Sequence, residues 1–247
     1  MIGMLEAVRG CVKEEVRADV IANNLANAAV IGFKRDKLSF SNMLLGSGPD
    51  SAGSSQETAA PSQDPSLVSI KTDFSDGPLH HTGNSLDLAI NGKGFFKIQT
   101  AEGIRYTRKG NFSCDERGLL MTQDGNPVLG KGGPISISGS SVVIDKTGRV
   151  LVDGSEVGQL DLTDFAQSEQ LEKDGGTLFR AVEGSEELPL PKETVVRQGY
   201  VEESNVNVSE EMVTMIHSLR AFESYQKAIQ VMDGLDNRAI NEVGKLK

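Results

Sequence analysis

Gly125-Asn126-Pro127-Val128-Leu129-Gly130-Lys131 matches the first seven positions of a phosphate-binding loop, where backbone N–H groups and a lysine cradle phosphates. The eighth position is Gly132, although that chemistry needs a Ser or Thr hydroxyl for Mg²⁺. Gly133-Pro134 then leads into strand-like Ile135-Ser136-Ile137, so no helix N-terminus follows to aim its N–H groups at phosphate. The context argues against nucleotide binding. His80 and His81 are adjacent and would point to opposite faces of a strand, which is poor geometry for one metal. His217 stands among Met215, Ile216 and Leu219 and reads as an exposed or interface polar residue. There is no Cys-x-x-Cys, His-Glu-x-x-His or Gly-x-Ser-x-Gly spacing. Carboxylates are scattered through turns, where solvation explains them. The expectation is therefore no enzyme, with no catalytic residue, no cofactor, no metal and no small-molecule substrate.

The charge points the same way. A formal net charge of −10 argues against nucleic acid, whose phosphates need clustered Lys and Arg. Anionic membrane surfaces are disfavoured for the same reason, and no apolar run approaches the roughly 18 residues of a membrane-spanning helix. The N-terminus lacks a basic stretch followed by an apolar block, so a cleaved secretory signal is not expected. Cys11 and Cys114 are too far apart in sequence to suggest a disulfide framework, and both read as buried small residues.

What remains is a pattern of elements. Leu5, Val8, Val12 and Val16 recur at helical spacing, with charged residues between them, giving an amphipathic helix over residues 5–25. It should stop near Asn27, since Asn23, Asn24 and Asn27 are weak helix formers and asparagine tolerates the left-handed conformation that ends helices. Gly32 then permits a positive φ, turning Phe33 against a neighbour. Residues 46–66 are Gly, Ser, Pro, Ala, Asp and Gln with almost no large apolar side chain, and read as a flexible linker.

From residue 67 to 200 the chain reads as strands and turns. Asn91-Gly92 and Ala101-Glu102-Gly103 mark turns between apolar runs. Asp115-Glu116-Arg117-Gly118 and Asp145-Lys146-Thr147-Gly148 look like one Asp-initiated hairpin used twice, with Gly in the left-handed position. Near the C-terminus Val208, Met212, Met215, Leu219, Phe222 and Ile229 follow a 3–4 spacing over 208–243, with Ser209 as the N-cap. Such a helix would be about 54 Å long, a length usual in coiled coils.

Three groups of residues resemble a known family. Asn23-Asn24-Leu25-Ala26-Asn27 with Gly32-Phe33-Lys34 resembles the N-terminal signature of bacterial flagellar rod and hook proteins. Thr82 to Ile90, Gly94-Phe95-Phe96 and Tyr106 to Phe112 resemble the central block of that family. Glu203-Ser204-Asn205-Val206, Glu211-Met212, Met215-Ile216 and Arg220-Ala221-Phe222-Glu223 resemble its C-terminal signature. The length and lack of large insertions fit a rod protein. The ending Asn237 to Gly244 is similar to the proximal-rod branch, with the distal-rod branch as the alternative.

The resemblance implies a structural subunit of the basal-body rod in the periplasm, exported by the flagellar type III apparatus and assembled with itself and other rod proteins. The expected fold is mixed α and β: N- and C-terminal helices packed as a coiled-coil assembly domain, plus a central all-β domain. Its parts are 1–45 (N-terminal helix and turn), 46–66 (linker), 67–200 (β-rich domain) and 201–247 (C-terminal helix). Leu5, Val8, Val12, Val16, Met212, Met215, Leu219, Phe222 and Ile229 are the expected subunit contacts. Asn23, Asn24, Asn27, Gly32 and Phe33 shape the first turn, and Ser204, Asn205 and Val206 form the C-terminal motif. Two other classes compete: a secreted enzyme acting on the cell wall and a monomeric binding module.

Overall fold

Apolar residues three and four apart, free of proline, produce two long helices: α1 (Ile2–Ala26) and α2 (Val208–Val243). The computed structural model describes residues 2–39, 69–166 and 170–243. The expected linker at 46–66 lies outside them. The helix α1 ends where expected, but without a left-handed residue. Asn27 instead donates from Nδ2 to the Asn23 carbonyl at 2.8 Å, and the first positive φ comes at Gly32, +71°. The cap of α2 is Asn207 rather than Ser209. Its Oδ1 accepts from the Glu210 N–H at 3.3 Å, and Glu210 and Glu211 stand at the positive end of the helix dipole.

The chain divides into two units. One comprises the described parts of Met1–Val20, Asp36–Lys71 and Ser218–Lys247; the other comprises Ile21–Arg35 and Thr72–His217. In the first unit the two helices touch through small and polar residues. Ser218 Oγ lies 2.9 Å from Glu14 Oε2 and 3.0 Å from the Glu14 carbonyl oxygen. A Cβ on Gly10 would stand 2.6 Å from the Tyr225 ring, and one on Gly3 would stand 3.3 Å from Met232. Low numbers on α1 meet high numbers on α2, so the helices run antiparallel there.

This corrects the expected coiled coil. A coiled coil needs the large apolar a and d side chains locked between its helices. Here Leu5 and Val12 are 51% and 52% exposed, and Leu219 is 48% exposed, as are other members of the same stripes. The face that α1 buries is Ala7, Gly10, Glu14, Ile21 and Asn24. The fold is one N-terminal and one C-terminal helix flanking a large all-β region, with no coiled-coil seam among the described residues.

The second unit is built on an antiparallel six-stranded sheet, in the order Leu171–Lys173, Leu178–Ala181, Gly103–Thr107, Phe95–Thr100, Leu162–Phe165 and Glu187–Pro189. Strand residues alternate between faces, and both faces are covered. Phe96 and Ile98 join Leu88, Ile90, Phe112 and Leu120 in the larger core, whereas Phe95 packs with Tyr106, Phe165 and Phe179. That is why the sequence shows an apolar run there instead of alternation. The strands on either side of Asn91-Gly92 do not pair with each other. Leu88–Asn91 pairs with Val195–Gln198, a partner about a hundred residues away that no local pattern announces.

The two Asp-initiated turns have the same construction. Asp115 Oδ1 accepts from the N–H groups of Arg117 (2.9 Å) and Leu119 (2.7 Å), and Asp145 Oδ1 accepts from those of Thr147 (2.8 Å) and Arg149 (3.0 Å). Gly118 and Gly148 have φ of +78° and +79°. At Asp145, burial works against ionisation, but the Thr147 and Arg149 hydrogen bonds outweigh it and hold the carboxyl far below the usual range. Cys114 is exposed and Cys11 half-buried, so only the second approaches the packing role expected of both.

Candidate assembly surface and its buried latch

Helix α1 has a sequence with two faces, and the wider side chains fall on the one facing outward. Met4, Leu5, Val8 and Val12 are exposed on α1. On α2 the exposed apolar residues include Met212, Val213, Ile216, Leu219, Val231 and Leu235. Of the residues expected to make subunit contacts, Leu5, Val8, Val12, Met212 and Leu219 are exposed, while Val16, Met215, Phe222 and Ile229 are half-buried. The stripe is therefore split, with half turned inward and half to the outside. Scattered single apolar residues need no explanation, but rows at i, i+3 and i+7 on α1 (Leu5, Val8, Val12) and i, i+4 and i+7 on α2 (Met212, Ile216, Leu219) form a surface suited to a further helix or sheet.

A second feature lies wholly inside the β-rich unit, where the three sequence signatures meet around one carboxylate. Lys34 Nζ donates to Glu202 Oε1 at 2.6 Å and to the Ser75 carbonyl at 2.6 Å. The Gly77 N–H donates to the same Oε1 at 2.8 Å, and Arg108 Nη1 donates to Oε2 at 3.1 Å. Arg108 Nη2 also donates to the Gly92 carbonyl at 2.8 Å, while its buried Nε has no partner among the described residues. Lys34 and Glu202 are each 1% exposed and Arg108 is 3% exposed. Burial pushes the Lys34 ammonium down in pKa; the Glu202 carboxylate beside it pulls the other way and does not fully restore it.

The residues around this centre hold the chain leaving α1 to the chain entering α2. The Gly32 N–H donates to the Glu202 carbonyl at 2.7 Å, and the Arg35 N–H donates to Asn205 Oδ1 at 2.8 Å. Asn205 Nδ2 reaches the Asp73 carbonyl at 2.8 Å, and Arg35 pairs with Asp73 at 3.0 Å. Buried Asn24 hydrogen-bonds to Glu211, whose carboxyl burial holds above the usual range. Ser204 Oγ accepts from the Val206 N–H at 3.3 Å. Phe33 is buried and carries Lys173 Nζ over its ring at 4.2 Å, while Asn23 remains exposed. Val206 is half-buried.

The structure thus gathers Asn24, Gly32, Phe33, Ser204 and Asn205 into one latch. Sequence reasoning missed Glu202, which lies one residue before the recognised C-terminal motif. Its signal was faint: a lone acid in the strand Tyr200–Glu202, with basic residues in both other signatures. Gly32 tests the latch from the backbone side. Its φ is +71°, and a Cβ there would stand 2.4 Å from the Lys109 nitrogen. Gly32→Ala should destabilise the unit by about 2–3 kcal/mol, since strain and a backbone clash combine. A urea midpoint equal to wild type would show that the turn relaxes freely.

The remaining chemistry-bearing residues do not converge. His80 and His81 lie on the strand Leu79–His81, with His81 against the Tyr200 ring at 4.8 Å and His80 3.7 Å from Glu203. His217 is exposed. Lys131 follows the short strand Leu129–Gly130 and leads into Gly133–Pro134, not into a helix. Among the described residues no group of His, Cys, Asp and Glu is arranged to hold a metal, and no helix is long and apolar enough to cross a membrane.

Comparison with known proteins gives the family of the chain. Residues 197–242 match the family profile described as flagellar basal body rod FlgEFG protein C-terminal, and residues 89–152 match the flagellar hook protein FlgE/F/G D1 domain. The flagellar basal-body rod protein FlgG of Buchnera aphidicola subsp. Schizaphis graminum is 35% identical, over 89% of this chain and 91% of its own length. The FlgG of Bacillus subtilis (strain 168) is 32% identical, over 96% of this chain and 97% of its own. The flagellar basal-body rod protein FlgF of Caulobacter vibrioides is 35% identical, over 92% of each. FlgF and FlgG relatives stand at the same level of identity, so similarity alone does not separate the two.

Proposed function

This chain belongs to the flagellar basal-body rod protein family, and from that premise we propose how it assembles: its terminal helices present their exposed apolar rows to neighbouring subunits. The observation that supports this most is the inverted use of α1. It buries Ala7, Gly10 and Glu14 and leaves Leu5, Val8 and Val12 outside. A lone soluble protein gains nothing from that choice, whereas a subunit that adds neighbours end over end buries the rows later. Contacts of this kind are heterologous and do not close, so copies extend as an open helix.

In this reading residues 1–45 and 201–247 serve assembly and 67–200 form the β-rich part, with no catalytic role for any of them. The latch around Glu202 ties the chain leaving α1 to the chain entering α2 within the β-rich unit. Export through the flagellar type III apparatus, with the N-terminal segment retained, completes the proposal. The ending at 237–244 favours a proximal position in the rod, with a distal position as the alternative.

The test is made in the parent bacterium. A strain lacking the chain should be non-motile, and a tagged copy should restore swimming, co-purify with hook–basal bodies and appear in the rod by electron microscopy. The position of the tag assigns the proximal or the distal site. A tagged copy that restores motility but is absent from purified basal bodies would refute the assembly role.

A further inference from the structure

Lysine is expensive to gather in one place, yet four lysines line a groove in the β-rich unit of this acidic chain. The groove has a volume of about 650 Å³ and runs beside the sheet edge Glu187–Pro189. Lys97 there is already neutralised, by Asp161 at 3.1 Å and Glu187 at 2.6 Å. Lys131, Lys146 and Lys192 are exposed along the same groove and have no ion pair among the described residues. Four lysines face only two carboxylates, so the groove is positive within a chain of net charge −10. Leu188 and Leu190 add apolar wall between the charges, and Pro189 and Pro191 keep the edge from adding another strand.

The same chain carries a feature of opposite character. Val182 to Glu186 forms a turn closed by the Ser185 N–H donating to the Val182 carbonyl at 3.0 Å and by Ser185 Oγ at 2.7 Å from the same oxygen. Gly184, with φ of +90°, lets the turn project Glu183 at its tip. Glu183 and Glu186 are exposed and have no ion pair among the described residues, and Val182 is 41% exposed. Because the turn is already hydrogen-bonded, little entropy is lost when it docks.

We propose that the lysine groove receives the acidic turn Val182–Glu186 of a second copy of this chain, with Glu183 and Glu186 on the free lysines and Val182 against Leu188 and Leu190. The turn runs straight into Glu187, which lines the groove, so turn and groove adjoin on one subunit and each copy both gives and receives. This rests on the reading that copies of the chain are neighbours in the rod. Charge complementarity also sets the register of that contact, because like charges meet when the copies slip.

A charge swap tests it with the full chain in sedimentation velocity at about 0.05 M and about 0.5 M salt. Wild type should associate at the lower salt and dissociate at the higher. K131E/K146E/K192E alone and E183K/E186K alone should each weaken association by about tenfold or more, with unchanged near-ultraviolet circular dichroism. Mixed in equal amounts, the two variants should associate again, since each supplies the surface the other has lost. A mixture that stays as weak as either variant overturns the proposal. So does wild-type association that ignores both substitutions. Saturable binding of inorganic polyphosphate to the lysines, without self-association, would assign the groove to a phosphate polymer and equally overturn it. Basal-body incorporation of the tagged chain is scored separately, so loss of the groove contact is distinguishable from failure of the rod assignment.

Discussion

Glu202→Ala should lower the stability of the β-rich unit by about 3–5 kcal/mol, a large share of what holds a domain folded. The reason is electrostatic. Two buried cations, Lys34 and Arg108, share this carboxylate, and the nearest other acid, Asp76, lies 3.7 Å from Arg108 at a half-exposed rim. Removing Glu202 strands both charges and leaves the Gly77 N–H without its acceptor. Removing Lys34 is different, because Arg108 and Glu202 still neutralise one another. Lys34→Met should therefore cost clearly less than Glu202→Ala, and Glu202→Gln should fall between them. Urea unfolding followed by tyrosine and far-ultraviolet signals gives the three values. For a chain of this size the Glu202→Ala melting point should drop by about 10 °C. An order in which Lys34→Met is the worst of the three, or a Glu202→Ala cost under about 1 kcal/mol, would show that water reaches the centre and that the latch is not dry.

The second large effect separates folding from assembly. Val12→Glu combined with Leu219→Glu changes two exposed side chains, 52% and 48% accessible, on helices where glutamate is a good helix former. The isolated chain should keep its melting point to within about 0.5–1 kcal/mol of stability. In the cell the effect should be severe. Each apolar side chain buried against a neighbour contributes about 1.5–3 kcal/mol, and burying a carboxylate there reverses the sign. The loss recurs at every subunit, so incorporation into basal bodies and swimming should fall to the level of a strain lacking the chain. Wild-type incorporation of the folded double variant would mean that these rows face solvent in the rod and that subunits meet elsewhere.

Much of this could be read from the residues. The extents of both helices follow from 3–4 spacing and a run of asparagines, and the two Asp-initiated hairpins follow from Asp and Gly three positions apart. The signatures at 23–34, 106–112 and 203–206 were visible as separate strings. Their meeting point was not, because Lys34, Arg108 and Glu202 are 74 to 168 residues apart and nothing local records that they touch. The pairing of Leu88–Asn91 with Val195–Gln198 escaped for the same reason. Periodicity also misled over the helices. It identifies which residues share a face, but the expected coiled-coil packing of the two helices missed that α1 turns its small face to α2.

The sequence by itself determined the element types and the acidic character of the chain, since these depend on neighbours within a few residues or on composition alone. Its strings of motif residues were also enough to identify the family. Tertiary structure alone decided which face of each helix is spent within the molecule. Gly10 and Ser218 let the backbones of α1 and α2 approach closely, and that close approach buries the small face and turns Leu5, Val12 and Leu219 outward. It alone decided, too, that one carboxylate would serve two cations, because shared burial is a property of three distant segments brought together and of none of them alone.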